Sequence, residues 1–316
     1  MQNLGYQMTS AITACTSEGQ SKRDYKRQHG DTDFHVFGYA YKHDLCDTAK
    51  EMGQYIHANY PTLKLIKDIK PEMVQSYLIH KAETCSAATM GKIYAHVRKI
   101  DQVITHRYGG GGYRDRISMP AMDQTPKQRD KVMNEMDYNK LLAALKATKS
   151  DAWKSCVLSW HAGLRVEETA GVRMDRLQET GGRWGYGSFT ILKGDGSKGG
   201  RPRTIDLVTP QAREAIKELI KDLQPGQLIL QKRDGSKYQS SSITRQISRI
   251  AGKLDLSQDY KQNRNHALRK AFAQASYDHL RRTGVSKREA LDYASKQLGH
   301  GANRTDLANA YISDQW

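Results

Sequence analysis

The chain has 316 residues, a length that suits two domains, each large enough to fold around its own core without disulfides. Lys and Arg exceed Asp and Glu by 16, and this excess divides into +4 for residues 1–127 and +12 for residues 128–316. The four cysteines lack Cys-x-x-Cys spacing and no run of about eighteen apolar residues occurs, which argues against a disulfide framework, a zinc site and a membrane span. We expect a cytoplasmic protein whose second half faces a polyanion, although ribosomal and membrane-surface proteins share such a charge.

The first part of the chain predicts an arm followed by helices. Residues 1–30 are polar with a basic cluster at 22–27, and we expect them to form a flexible basic arm. Apolar residues recur every three or four positions from Phe34 to Met52, after Pro71 and from Met90 to Ile104, which predicts a small all-α domain over residues 31–108. Four consecutive glycines and the aperiodic stretch after them predict an interdomain linker over residues 109–129.

Residues 130–316 predict a second domain that combines helices with a small sheet. Gly163 ends an apolar helix, and Arg165 follows it directly, before the acidic start of the next helix. Segments 187–193 and 203–208 alternate as strands do, and a glycine-rich hairpin joins them with Lys198 at its tip. The expected fold class is mainly α with a small antiparallel β-sheet, in which a helical amino-terminal domain is joined to an α+β domain.

Polar side chains recur near the carboxyl end. His266 and Arg269 share one face of a predicted helix because they are three positions apart. Gly299 ends another helix immediately before His300, and Tyr311 lies on the last predicted helix. Taken singly, each residue has a structural explanation, such as a core tyrosine or a capping histidine.

Taken together with Arg165 and Lys198, these side chains suit a phosphodiester. Guanidinium groups can hold the non-bridging phosphate oxygens in two parallel hydrogen bonds. A phenolic oxygen can attack phosphorus while imidazole and ammonium groups move protons. This chemistry requires neither a metal nor another cofactor.

Five motifs carry these residues in a characteristic order. They are Ala162-Gly163-Leu164-Arg165-Val166-Glu167-Glu168, Ser197-Lys198-Gly199-Gly200-Arg201-Pro202-Arg203-Thr204-Ile205-Asp206-Leu207, His266-Ala267-Leu268-Arg269, Leu298-Gly299-His300 and the late Tyr311. The set resembles the tyrosine recombinase, or phage integrase, family over residues 128–316. The stretch from residue 68 to residue 107 resembles that family's helical, SAM-like core-binding domain. The resemblance therefore implies a helical DNA-binding domain over residues 31–108 and a catalytic domain over residues 130–316.

The resemblance also implies a role for each polar residue. Arg165 and Arg269 would clamp the scissile phosphate, and Lys198 would protonate the 5′-oxygen leaving group. His266 would take the phenolic proton, and His300 would hydrogen-bond a phosphate oxygen.

The nucleophile implied is Tyr311, which would become a 3′-phosphotyrosine, while Glu168 would orient Arg165. Since a covalent ester conserves the bond energy, a 5′-hydroxyl of another strand can reverse the step. We expect a site-specific DNA recombinase, the integrase of a mobile genetic element, that acts on duplex recombination sites in the nucleoid. Assembly as a homodimer or homotetramer and help from DNA-bending proteins are also expected.

Seven basic residues are expected to contact DNA, several of them within residues 183–270, which carry 18 basic and 8 acidic side chains. They are Lys92, Arg98, Lys99, Arg201, Arg203, Arg245 and Arg249. A solvated charged face is the alternative explanation for such residues.

Two departures and two rival functions accompany the resemblance. In the family the last histidine and the tyrosine are commonly nine positions apart, whereas His300 and Tyr311 are eleven apart, and only five residues follow the tyrosine. The last helix should therefore be displaced or the turn before it enlarged, and a tail exchanged between protomers becomes uncertain. Lys193 is a rival for Lys198, and Tyr293 is a weaker rival for the nucleophile. The rival functions are DNA relaxation of the type IB topoisomerase kind and DNA binding by a decayed, inactive site.

Overall fold

The structure is a computed structural model that describes residues 3–30, 33–122, 132–148, 150–197, 202–256, 260, 264–301, 304 and 311–312. The chain divides into two compact units, Met1–Pro126 and Lys127–Trp316, each with its own hydrophobic core. The expected fold class, mainly helical with a small antiparallel sheet, is confirmed. Over the described ranges, none of the helices combines the length and the apolar character that crossing a membrane requires.

The amino-terminal unit is helical because several of its segments carry an apolar stripe and a local start signal. Its helices are α1 (Leu4–Ala14), α2 (Lys22–His29), α3 (Tyr39–Asn59), α4 (Pro71–Ala82) and α5 (Ala87–Tyr108). Pro71 occupies the first turn of α4, and the hydroxyl of Ser86 accepts a hydrogen bond from the backbone N–H of Thr89 at the start of α5. The stripes of α1, α3, α4 and α5 meet in one core.

The prediction of a flexible arm over residues 1–30 is wrong for α1. Leu4, Met8 and Ile12 are fully buried in the core of the amino-terminal unit. α1 contacts α3 closely, and a Cβ atom added to Gly53 would lie 2.4 Å from the backbone nitrogen of Gly5. The two helices thus cross where neither has a side chain. The basic cluster does form α2, none of whose residues is buried.

The prediction of a linker over residues 109–129 is wrong for its first part. Tyr113 is completely buried, and the buried carboxylate of Asp101 accepts hydrogen bonds from the backbone N–H groups of Tyr113 and Arg114, both at 3.1 Å. The side chain of Gln75 forms two hydrogen bonds with the backbone of Ser118. Residues 109–122 are therefore bound to the amino-terminal unit, and residues 123–129 lie outside the described part of the chain.

The carboxyl-terminal unit surrounds a three-stranded sheet with helices. Its helices are α6 (Glu135–Lys146), α7 (Ala152–Ala162), α8 (Val166–Thr169), α9 (Pro210–Ile220), α10 (Ser240–Lys253), α11 (Arg264–Arg282) and α12 (Lys287–Gln297), and its strands are β1 (Leu177–Gln178), β2 (Ser188–Ile191) and β3 (Arg203–Asp206). The sheet is antiparallel in the order β1-β2-β3, with Phe189 opposite both Leu177 and Ile205. The two predicted strands are confirmed, whereas β1 was not predicted.

Helix α11 lies against α7 and α12, and this packing sets the positions of the residues at the ends of those two helices. Gly163 ends α7 with a φ of 59°, a left-handed conformation that favours glycine, and a Cβ atom there would lie 2.3 Å from the ring of Phe272 on α11. The side chain of Gln297 accepts a hydrogen bond of 2.8 Å from the backbone N–H of Asp206, which ties the end of α12 to β3. The ends of α7 and α12 are thereby fixed relative to α11 and β3.

We predict that Gly53→Ala separates α1 from α3, because the added methyl group overlaps the backbone of Gly5. The free energy of unfolding should fall by about 1–3 kcal/mol, and backbone amides of α1 should exchange with deuterium faster. Gly91→Ala in α5 is the matched control, since its Cβ meets no atom within 4 Å; it should be neutral or stabilise the helix by up to about 1 kcal/mol. Unchanged exchange in α1 of the Gly53 variant would show that the helices do not cross in this way.

Candidate active site

Arg165 is held at the start of α8 by the carboxylate of Glu168. The backbone N–H of Arg165 donates to Glu168 Oε2 at 2.7 Å, and its Nη1 donates to Glu168 Oε1 at 2.9 Å. These two bonds fix both the backbone and the guanidinium. The side chain retains a fractional exposure of 20%, so its outer edge can reach a ligand.

Arg269 on α11 lies beside Arg165 and is almost completely buried. It donates to the carbonyls of Gly163 and Leu298, and Nη2 of Arg165 donates to the same Leu298 carbonyl at 3.0 Å. Burial, with the neighbouring positive charges of Arg165 and Arg203, lowers the pKa of Arg269 to about 9, so it remains cationic at neutral pH. A guanidinium has five N–H donors, and these bonds leave some on both arginines for an anion.

The carboxylate of Glu168 is fully buried and accepts four hydrogen bonds from described residues. Two come from Arg165 and two from Arg203 on β3, at 2.5 and 2.7 Å. Burial alone would raise the pKa of Glu168, but the bonds and charge of Arg203 and the backbone N–H of Arg165 lower it to about 2. Glu168 is therefore ionised at neutral pH.

Two imidazoles and a phenol complete the site. The ring centroid of Tyr311 lies 4.6 Å from that of His266 and 5.3 Å from that of His300. Burial and the charges of Arg269 and Arg165 lower the pKa of His300 to about 4, so this imidazole is neutral at pH 7. Its Nε2 is buried and has no hydrogen-bond partner among the described residues. A phosphate oxygen could provide that partner.

The wider spacing before Tyr311 does not keep its ring away from His266 and His300. Tyr311 is 8% exposed and belongs to the core of its unit, against which Ile312 also packs. The backbone N–H of His300 donates to the carbonyl of Ser295 at 3.0 Å, and the Ser295 hydroxyl lies 3.4 Å from the carbonyl oxygens of Gly301 and Arg304. These contacts hold His300, Gly301 and Arg304 against the end of α12.

The structure thus brings five of the predicted residues together, namely Arg165, His266, Arg269, His300 and Tyr311. Lys198 and Arg201 lie outside the described residues. The two rivals lie elsewhere: Lys193 is exposed, and the phenol of Tyr293 donates to Asp206 at 2.7 Å. Burial, followed by the hydrogen bond to Asp206, raises the pKa of Tyr293 far above its usual range.

Arg203, predicted to contact DNA, has a different environment. Its guanidinium is directed at buried Glu168 and at the Gln297 carbonyl, and only 10% of its side chain is exposed. The contribution of main-chain carbonyls, above all that of Leu298, was likewise not predicted. An arginine on a strand gives no sequence signal for such a role, because its partners are 35 and 94 positions away.

The remaining residues predicted to contact DNA differ in their exposure and in their bonds to other protein groups. Arg245 and Arg249 are exposed on α10. In the amino-terminal unit, Lys92 pairs with Asp44 at 2.7 Å, Arg98 lies 3.4 Å from Asp115, and Lys99 donates to the carbonyl of Asp33. Contact with DNA remains a prediction for all of them.

Comparison with known proteins gives the family. The model of the phage integrase family matches residues 131–313, more than half of the chain. The chain belongs to the phage integrase family. Members of this family are tyrosine recombinases, so the expected enzyme class, which breaks and rejoins DNA strands, is confirmed. No curated protein matches the sequence.

Solved structures of recombinases share the fold of this integrase-family chain. The XerH site-specific recombinase bound to a palindromic difH substrate, in a post-cleavage complex, has a TM-score of 0.62 at 17% identity, over 99% of this chain and 91% of that one. A lambda integrase dimer bound to a COC′ core site has a TM-score of 0.65 at 14% identity, over 93% and 76%. The Tn1549 transposon integrase with a circular intermediate DNA has a TM-score of 0.61 at 12% identity, over 98% and 95%.

We predict that Glu168→Gln strongly destabilises the carboxyl-terminal unit. The change removes the only carboxylate that the described residues place between the guanidiniums of Arg165 and Arg203. Breaking a buried ion pair on one side costs about 3–5 kcal/mol, which thermal or urea denaturation would measure. Glu167→Gln, one position earlier and exposed, is the matched control and should change stability by less than about 0.5 kcal/mol. Equal effects of the two variants would contradict the assigned role of Glu168.

Proposed function

We propose that this protein is a site-specific DNA recombinase, the integrase of a mobile genetic element, that cleaves duplex DNA through a 3′-phosphotyrosine. One observation carries the proposal. The ring of Tyr311 contacts those of both His266 and His300, and the same site holds Arg165 and Arg269 at the shared Leu298 carbonyl. A nucleophile, proton-transfer groups and an anion clamp are thus contributed by segments up to 146 positions apart in the sequence.

The arginines bind the scissile phosphate in this proposal. Their remaining N–H donors hold the non-bridging oxygens, and the N–H of the neutral His300 imidazole donates a further hydrogen bond to a phosphate oxygen. The carbonyl and carboxylate partners described above fix the guanidiniums before DNA arrives. Little reorganisation is then needed as negative charge develops on the equatorial oxygens.

Strand cleavage is an in-line displacement at phosphorus. The phenolic oxygen of Tyr311 forms a bond to phosphorus while the bond from phosphorus to the 5′-oxygen breaks. His266, whose ring is 4.6 Å from that of Tyr311, accepts the phenolic proton. The leaving 5′-oxygen takes up a proton, and we assign its donor as Lys198, which lies between β2 and β3 in the sequence.

Rejoining reverses these steps. A 5′-hydroxyl attacks the phosphotyrosine, phosphorus transfers to that oxygen, and the tyrosine regains its proton. Because one ester replaces another, no nucleotide cofactor has to supply energy. If the attacking hydroxyl belongs to a second site, the result is integration or excision.

The proposed partner is duplex DNA that carries recombination sites. Exposed Arg245 and Arg249 on α10 offer charges to the phosphate backbone. The XerH, lambda and Tn1549 structures were each determined with DNA, and the lambda integrase complex is a dimer. We therefore infer that two protomers bind each site, that two sites pair in a tetramer in the nucleoid, and that DNA-bending proteins assist.

We predict that Tyr311→Phe binds duplex DNA with unchanged affinity but forms no covalent adduct, because it lacks the attacking oxygen. Adducts that resist SDS would be counted on a nicked suicide substrate carrying the element's ends, with EDTA present. Tyr293→Phe is the matched control: it loses a phenol bound to Asp206 and should still form the adduct. An adduct in the Tyr311 variant, or its loss only in the Tyr293 variant, would refute the assignment. Relaxation of supercoiled DNA without site preference would favour the topoisomerase alternative.

We predict that Arg165→Ala and Arg245→Ala separate chemistry from binding. Arg165 faces the phosphate, so its loss should slow cleavage in the saturated complex by about 10²–10³-fold with little change in Kd. Arg245 is exposed on α10, so its loss should weaken binding and reduce the salt dependence of binding by about one phosphate contact. Single-turnover cleavage and a salt titration of Kd would measure both. Equal losses of binding and cleavage in the Arg165 variant would show that this residue only binds.

A further inference from the structure

Arg203 is the third arginine of the cluster around Glu168. Its Nη1 and Nη2 donate to the two carboxylate oxygens of Glu168 at 2.5 and 2.7 Å, and its Nε donates to the Gln297 carbonyl at 3.1 Å. The parallel bonds from one guanidinium to one carboxylate are the geometry that gives such a pair its directional strength. All three nitrogens of the guanidinium thus point into the protein.

The end of α12 is built to admit this arginine. Gly299 has a φ of 70°, and a Cβ atom there would lie 3.0 Å from Cδ and 3.2 Å from Nε of Arg203. Any larger residue would press on the guanidinium as well as strain the backbone. The carbonyls of Gln297 and Leu298, which end the helix, accept bonds from Arg203, Arg165 and Arg269. One helix end therefore holds all three arginines.

The competition for Glu168 shows what Arg203 can change in the reaction. Arg165 is bonded both to Glu168 and, in the proposed function, to the phosphate. With Arg203 in place, each carboxylate oxygen is shared between two donors. Without it, Arg165 would be the only described residue hydrogen-bonded to Glu168, and the carboxylate would draw its guanidinium away from the DNA.

Charge gives a second argument. Three guanidiniums and one carboxylate carry a net charge of +2, and removal of Arg203 would leave +1. A phosphodiester has one negative charge, but attack by the deprotonated phenol gives a five-coordinate phosphorus group with two. The cluster that includes Arg203 therefore matches the transition state better than the bound substrate, which is the condition for a faster chemical step.

We propose that Arg203 is a positioning residue for strand cleavage. It directs Arg165 to the phosphate by bonding to Glu168, and it raises the net charge of the cluster to +2, which balances the two negative charges of the transition state. This inference rests on the proposed function. It also replaces the prediction that Arg203 contacts DNA, because the two roles differ in what the loss of Arg203 does to binding.

The experiment measures single-turnover adduct formation by the full chain on a suicide substrate, with Kd determined separately. Arg203→Met should reduce the rate in the saturated complex by about 10²-fold and change Kd by less than about threefold. Arg203→Lys keeps the charge without the paired geometry and should retain an intermediate rate. Lys217→Met on α9, which removes an equal charge from a surface ion pair with Glu179, is the matched control and should keep the wild-type rate.

The double variant Arg203→Met with Glu168→Gln tests the charge argument. It removes one positive and one negative charge, so the net charge returns to +2, and adduct formation should recover at least about tenfold over Arg203→Met. Arg269 stays buried and cationic without a carboxylate in the double variant, so the rates of the two variants are compared per folded molecule, with thermal denaturation measured alongside.

Three results would overturn the inference. They are a wild-type cleavage rate in Arg203→Met, equal losses of binding and cleavage in that variant, and a double variant no faster than the single one. Failure of the proposed function looks different: the wild-type protein itself would then bind the substrate without forming an adduct, and the role of Arg203 would fall with it.

Discussion

The candidate site depends on one buried carboxylate. Glu168 has no exposed surface, and a charge in that position is tolerated only when it is paired and fully hydrogen-bonded. Arg165 and Arg203 provide the required donors from opposite sides in sequence, one from the start of α8 and one from β3. Folding of the unit therefore places Arg165 before any DNA binds, and the cost of ordering it is met during folding.

A helix end supplies the second constraint. The last carbonyls of α12 have no partners within the helix, and their partial negative charge attracts cations. Three guanidiniums donate hydrogen bonds to these carbonyls. Gly299 comes next; it ends the helix, and it leaves room for the side chain of Arg203. His300 comes next, so the same turn sets the arginines and an imidazole in one arrangement. Stability and chemistry thus share the same contacts in this part of the molecule.

Local sequence signals predicted much of the fold. The stripe from Met90 to Ile104, the glycine that ends α7 and the alternating strands before and after the hairpin all appear where they were expected. The two errors in the amino-terminal unit have different causes. The apolar stripe of Leu4, Met8 and Ile12 is present in the sequence of α1, but the polar composition of residues 1–30 favoured an arm. Residues 109–122 have no such periodicity, and they are buried through hydrogen bonds to Asp101, a contact that local periodicity does not report.

The sequence by itself indicated the chemistry that we propose, because guanidinium, imidazole and phenol groups are the types that suit a phosphodiester. It also determined that Gly163 and Gly299 end helices beside Arg165 and His300, since a left-handed turn favours glycine. Only the tertiary structure decided that Tyr311 reaches His266 although it lies eleven positions after His300, and that Arg203 faces Glu168 instead of solvent. The physical reason is that these outcomes depend on which side chains contact which carbonyl and carboxylate groups on other helices and strands. Long-range packing alone sets those contacts.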